Sequence, residues 1–155
     1  MSLAEYTAAQ ETAKGLEQVI AVVIPQLQQF TQAEAAARPA PGKWSKKEII
    51  GHLIDSALNN HQRFVRAQQG PIEMPGYDQN FWVEAQGYQD ADWETLVLVW
   101  ATINGNLARV MQLIPAEALQ QTCRIGNHEP VTLEFLVTDY LDHFKHHLRQ
   151  LQVSF

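Results

Sequence analysis

Six histidines and a single cysteine are the residues of this 155-residue chain that offer the most chemistry. Three of the six crowd into His143-Phe144-Lys145-His146-His147. At about 100° per residue along an α-helix, His147 lies about 40° from His143, so the two imidazoles stand side by side one turn apart. His146 falls at about −60°, beside Asp142 and Arg149 on the polar side. An HxxxH pair on a helix can hold one metal ion between its rings, and a third ligand must then come from another helix. Exposed helices also carry such pairs by chance. Cys123, the only cysteine, permits neither an intrachain disulfide nor a thiolate cluster. It also lacks the setting of a nucleophilic thiol, with Arg124 its one basic neighbour.

A candidate third ligand opens a second pattern. From His52, successive turns of a helix bring Ser56, Asn59 and Arg63 onto one line, where a bundle normally carries aliphatic residues. The adjacent line of Ile50, Leu53, Ala57 and Phe64 supplies the apolar packing. A buried polar line costs stability unless its groups find partners, so it points to function. Asn104, in line with Trp100, Leu107 and Met111, adds a further polar group on an apolar stripe. Each residue also has a plainer reading. His52 alone reads as a hydrogen-bonded core histidine, and Arg63 as the partner of a carboxylate, although its place on the polar line suits an anionic substrate group. Asp55, Asp139 and Asp142 read as surface carboxylates that could also orient a ligating imidazole. His61 and His128 read as bundle-edge and turn residues.

The elements that must position these groups are helical. Tyr6, Ala9, Ala13, Leu16, Val19, Ile20, Val23, Leu27 and Phe30 recur at three- and four-residue spacing and predict a first helix over residues 3–30, broken or kinked near Ile24 by Pro25. Thr31-Gln32-Ala33-Glu34 has capping-box form and predicts one extra turn. Ser45-Lys46-Lys47-Glu48 is a second capping box, with Trp44 placed to pack back on Ile49, and predicts a second helix over residues 46–69. Gly70-Pro71 ends it. The connection of about twenty residues that follows is long for a compact domain unless it covers something or carries a short helix. Its Tyr77 and Trp82 could wall or lid a site. Asp90-Ala91-Asp92 caps a third helix over residues 93–114, a Gly126-Asn127 turn suggests a small hairpin, and Thr132 caps a fourth helix ending near Leu151. Leu133, Val137, Leu141, Phe144, Leu148 and Leu151 form its buried stripe. Four helices of about twenty residues predict an all-α four-helix bundle in a single domain over residues 1–155. The long connection lets helices two and three lie parallel, which gives an up-down-down-up order.

Composition narrows the function classes. Eleven Lys and Arg against seventeen Asp and Glu leave a net charge of −6, which opposes unspecific binding to nucleic acid or anionic membranes. The apolar runs Val19 to Ile24 and Leu96 to Ala101 fall well short of the ~20 residues of a membrane span. No basic flank followed by an apolar stretch marks a secretory signal, so a cytoplasmic location is expected.

In combination these segments resemble a known family. Pro41-Gly42-Lys43-Trp44-Ser45, then Glu48 to Ser56 around His52, Arg63 to Ala67, Pro75-Gly76-Tyr77-Asp78, and Asp142-His143 with His147-Leu148 are similar to the DinB-like superfamily that includes YfiT-type proteins, over about Phe30 to Leu151. That resemblance implies a four-helix bundle of up-down-down-up order, often homodimeric, in which His52, His143 and His147 bind a divalent metal. Characterised relatives are thiol-dependent transferases or isomerases using bacillithiol, mycothiol or glutathione, and others are labelled metal-dependent hydrolases. Relatives often carry Glu five residues after the first histidine, where this chain has Ala57, so no role is borrowed from that position. Three neutral imidazoles would leave an ion's double charge uncompensated and favour a coordinated thiolate or an activated water. Zinc and nickel both suit imidazole nitrogen. The expectation is therefore a thiol-dependent S-transferase acting on a small electrophile, with Asn59 and Arg63 orienting the substrate. The alternatives are a metal-dependent hydrolase or a non-catalytic ligand- or metal-binding stress module.

Overall fold

Capping boxes start the first three helices. Thr7, Thr31 and Ser45 each accept from a backbone N–H three residues on, while Gln10, Glu34 and Glu48 reach back to the N–H of the cap. In the computed structural model, which describes residues 5–155, these open α1 (Ala8–Gln28), α2 (Gln32–Ala36) and α3 (Lys46–Arg66). Asp92 caps α5 (Trp93–Leu113) and Thr132 caps α6 (Leu133–Leu148), which a 3-10 turn extends over Arg149–Leu151. Of the early start expected for the first helix, Leu3 and Ala4 lie outside the described residues. Residues 5–7 precede the helix because the Thr7 box sets its start, and this leaves Tyr6 exposed. Pro25 does not break α1. Val23 and Leu27, on either side of it, are fully buried, and that packing outweighs one missing ladder bond. The Gln26 side chain also donates to the Val22 carbonyl at 3.1 Å and to Ser154 at 2.8 Å, tying this end of α1 to the C-terminal segment.

The long helices α1, α3, α5 and α6 form the four-helix bundle, in up-down-down-up order. α1 packs on α5 and α6, and α3 packs on the same two, so the first two long helices in sequence face each other across the diagonal. The interior is one apolar cluster that includes Leu16, Leu27, Leu53, Phe64, Trp100, Phe144 and Leu148. Trp100 stacks on Phe144 with ring centroids 5.6 Å apart, and the Trp93 indole N–H donates to the Leu27 carbonyl at 2.8 Å.

The connection between α3 and α5 is built rather than loose. It holds β1 (Ile72–Met74), α4 (Gln79–Ala85) capped by Asp78, and a 3-10 turn at Tyr88–Asp90. β1 pairs in parallel with β2 (Thr122–Ile125), Ile72 opposite Cys123, and β2 pairs antiparallel with β3 (Val131–Thr132). The turn at Gly126, φ 58°, joins the expected hairpin. The strand β1 has no counterpart in the sequence reading, since three residues between two prolines show no periodicity and their partner lies about fifty residues away.

Gly51 is the close approach between this connection and α3. A Cβ there would stand 2.2 Å from Cδ2 of Tyr88, a buried ring whose hydroxyl is held by Asp55. Gly51→Ala should therefore lower the unfolding free energy by up to ~2 kcal/mol, and with it the thermal and denaturant midpoints, since an overpacking cost of ~1–3 kcal/mol exceeds the ~1 kcal/mol that alanine gains in helix propensity. A raised midpoint would show that Tyr88 does not pack on α3 in this way.

Candidate metal centre

His52 sits in the second turn of α3, while His143 and His147 lie one turn apart near the end of α6. Because α3 and α6 are neighbours in the bundle, all three side chains enter one interface. One nitrogen from each lies within 4.8 Å of the others. The His143 and His147 Nε2 atoms are 3.1 Å apart, close to the ~3.3 Å that two nitrogens at ~2.05 Å would span on a tetrahedral ion. His52 is 1% exposed, and neither of its ring nitrogens has a hydrogen-bond partner among the described residues. A buried imidazole with both nitrogens idle is costly, and a cation at the convergence point uses a lone pair that otherwise goes unmet. The donor set thus fits a divalent ion.

Electrostatics keep the ligands neutral. Burial, followed by the neighbouring His147 and His143, lowers the His52 pKa to about 3, while burial and His147 lower that of His143 to about 4. His147 is also lowered by burial, against a raising contribution from Gln150. Gln150 has a further effect. Its Oε1 lies 3.1 Å from His147 Nδ1, and an amide oxygen only accepts, so the ring proton belongs on Nδ1 and the Nε2 lone pair faces His143. His146 is exposed, and its nitrogen is not among the converging atoms.

Trp44 covers the site, its ring centroid 5.1 Å from that of His52 and 6.4 Å from that of His147. Outside it opens a cavity of about 760 Å³ walled by Trp44, Ile49, Gln79, Asn80, His147 and Gln150. The expected packing of Trp44 toward Ile49 is thus also a cavity wall.

The other candidates divide by location. Ser56 is buried on the same line as His52. Asn59 donates to the Asp55 carbonyl at 2.9 Å and so turns onto its own helix. Asp55 is fully buried, not a surface carboxylate, and it orients no histidine: its Oδ1 accepts from the Tyr88 hydroxyl at 2.7 Å and from Gln86 at 2.8 Å, while Oδ2 has no partner. Burial raises its pKa, opposed by those two hydrogen bonds. Tyr77 packs on Trp82 with centroids 4.9 Å apart. Arg63, Tyr77 and Asp139 line a different cavity, which none of the three converging histidines enters. Asp142 is exposed on the outer side of α6. Asn104, the polar group on an apolar stripe, donates to the Trp100 carbonyl at 2.9 Å and accepts from the buried Tyr140 hydroxyl. Cys123 is buried in β2, and burial raises its thiol pKa.

Sequence reasoning missed Trp44, Gln86, Tyr88 and Gln150 as site residues. For Gln150 the signal was available, since it lies three residues after His147. For Gln86 and Tyr88 there was none, because their partner is on another element.

A four-helix bundle with three imidazoles converging from two helices defines a class, and the chain belongs to it. Residues 15–151 match the model of the DinB superfamily, and the chain is a member of that family. Among relatives, it is 22% identical over 143 residues to YfiT of Bacillus subtilis (strain 168), covering 88% of this chain and 78% of that protein. A metal-dependent hydrolase activity is proposed for YfiT. The solved structure of YfiT, described as an unusual four-helix bundle topology, superposes with a TM-score of 0.83 at 19% identity, over 97% of this chain and 89% of that one.

Metal analysis of untagged protein should find about one divalent ion per chain in the wild type and in His146→Ala, and little in His52→Ala or His147→Ala. Gln150→Ala should weaken affinity by about tenfold. Equal metal content in all variants would remove the three-histidine centre. In metal-free protein, the depressed pKa values of His52 and His143 make stability pH-dependent. The unfolded chain takes up protons near 6.5 that the folded chain refuses until about 4 and 3, so stability is present above 6.5 and is lost as the pH falls through that window. Thermal unfolding across this range should show the loss, and His52→Gln should reduce it.

Proposed function

We propose that the chain is a metal-dependent enzyme that holds a divalent ion, zinc or nickel, on His52, His143 and His147 and acts on a small molecule. The observation that carries this reading is the convergence of three neutral imidazoles, one with both nitrogens unpartnered, beside an open cavity. When bound, such an ion supplies Lewis acidity and lowers the pKa of a thiol or water that it meets. The chain's own residues do the rest. His147 keeps its proton on Nδ1 through Gln150, leaving Nε2 as the ligand atom. Trp44 shields His52 from the solvent of the cavity. Gln79, Asn80 and Gln150 offer neutral hydrogen-bonding groups around the opening, and Arg38, Lys43 and Lys46 bring positive charge to the same cavity.

The finer assignment is a thiol-dependent S-transferase. A cavity of about 760 Å³ has room for a low-molecular-weight thiol together with a small electrophile, far more than a water nucleophile needs. The reactive sulfur has to arrive on a cofactor, since Cys123 is the only cysteine and is buried away from the histidines. Sulfur then bonds to the electrophilic carbon, the leaving group departs with its bonding pair, and the thiol proton passes to solvent. Hydrolysis is the second reading, favoured by the activity proposed for YfiT.

Metal-loaded protein should accelerate conjugation of a halogenated aromatic or an epoxide in the presence of at least one of bacillithiol, mycothiol and glutathione, and His147→Ala should abolish the rate. Turnover of an activated ester without thiol, lost in the same variant, would establish the hydrolase instead. Absence of both rates in protein of verified metal content would overturn the enzyme reading in favour of a binding module.

A further inference from the structure

A second cavity, of about 450 Å³, opens farther along α3 and α6, between the loop after β1 and the β2–β3 turn. Arg63 enters it from the last turn of α3, about 16 Å beyond His52 along the helix axis. Asp139 of α6 and Glu129 of the β2–β3 turn, both exposed, line its rim, and Tyr77, Phe135 and Leu136 supply aromatic and apolar wall.

The charges in this cavity do not neutralise one another. Among the described residues the ion pairs are Arg38–Glu48 and Arg124–Glu73, so Arg63 and Asp139 share the space unpaired. The Arg63 guanidinium has one long contact, 3.5 Å to Asn60 Oδ1. It is half-buried, and burial lowers its pKa, yet a guanidinium stays charged. A partly desolvated cation with no anion is an unmet demand.

We infer that this cavity binds a small zwitterion of the α-amino acid type with a short apolar side chain. Its carboxylate accepts from Arg63, its ammonium group donates to Asp139, and its side chain lies against Phe135 and Leu136. The pattern of charge decides against simpler ligands. An acid without an amine meets the guanidinium and also the repulsion of Asp139 and Glu129. An amine without a carboxylate leaves Arg63 unpaired. A zwitterion satisfies both signs at once, and a planar carboxylate matches the guanidinium fork. The volume lies at the lower end of the ~300–1,000 Å³ typical of ligand pockets, which suits a compact molecule.

The inference does not depend on the metal reading, and the test uses metal-free protein. L-leucine and L-phenylalanine are titrated calorimetrically beside their single-charge analogues, isocaproate and hydrocinnamate on one side, isoamylamine and phenethylamine on the other. At least one amino acid should bind saturably, with its analogues weaker by about tenfold or more. Arg63→Gln should remove this binding, and Arg63→Lys, which keeps the charge and loses the fork, should restore part of it. Asp139→Asn should weaken the amino acid while isocaproate binds as well as before or better, an opposite response that a general loss of folding cannot produce. No saturable heat with either amino acid at millimolar concentration would overturn the proposal. So would analogues that match the amino acids, or affinity unchanged in both Arg63→Gln and Asp139→Asn. None of these results bears on metal content, so the three-histidine centre stands or falls separately.

Discussion

The contact between α3 and α6 has to hold three imidazoles together in a region from which much of the water is removed. His52 comes from one helix, and His143 and His147 from the other. Hydration is lost to His52 almost completely, and no hydrogen bond from the protein replaces it. Burial and mutual repulsion therefore keep the rings neutral, which is the state that a metal needs of them. The same arrangement is unfavourable without an ion. Apolar packing supplies the stability that lets it persist, with Phe144 and Leu148 each following one of the two histidines of α6 and Ile50 and Leu53 flanking His52 on α3.

That helix pair is secured from outside by the connection between α3 and α5. Tyr88 lies against Gly51, one residue before His52, and its hydroxyl donates to Asp55, one turn after it. Gln86 adds a second donor to the same carboxylate. The segment carrying Tyr77 and Trp82 is thereby pinned at one end by Asp55, while β1, paired to β2, anchors the other. The long connection, expected to cover something or to carry a short helix, holds α4 and is a strap with two fixed ends.

Charge is distributed unevenly over this frame. The chain carries a net charge of −6, yet among the described residues no carboxylate joins the converging histidines, and the buried Asp55 bonds to Gln86 and Tyr88. The polar line of α3 runs from the buried His52 and Ser56 to the half-exposed Asn59 and Arg63. One helix face thus serves two places: its inner end meets α6 at the imidazole cluster, and its outer end opens into the Arg63 cavity.

Much of this was legible in the amino-acid sequence. The caps at Ser45, Asp92 and Thr132 and the helical phase of the apolar residues placed the long helices to within a few residues, and the same phase separated His143 and His147 from His146. These are local quantities: a cap needs three residues, and a period is measured along one axis. The resemblance to the DinB-like superfamily added the bundle order and the pairing of His52 with the HxxxH. What only tertiary structure decided is how one axis is rotated against another, because packing of whole side-chain layers sets that angle and no local pattern encodes it. It turned Asp55 from a surface carboxylate into a buried anchor for Gln86 and Tyr88. It matched three residues of β1 to a strand about fifty residues away, and it drew Arg63, Tyr77 and Asp139 away from the histidines and into a cavity of their own.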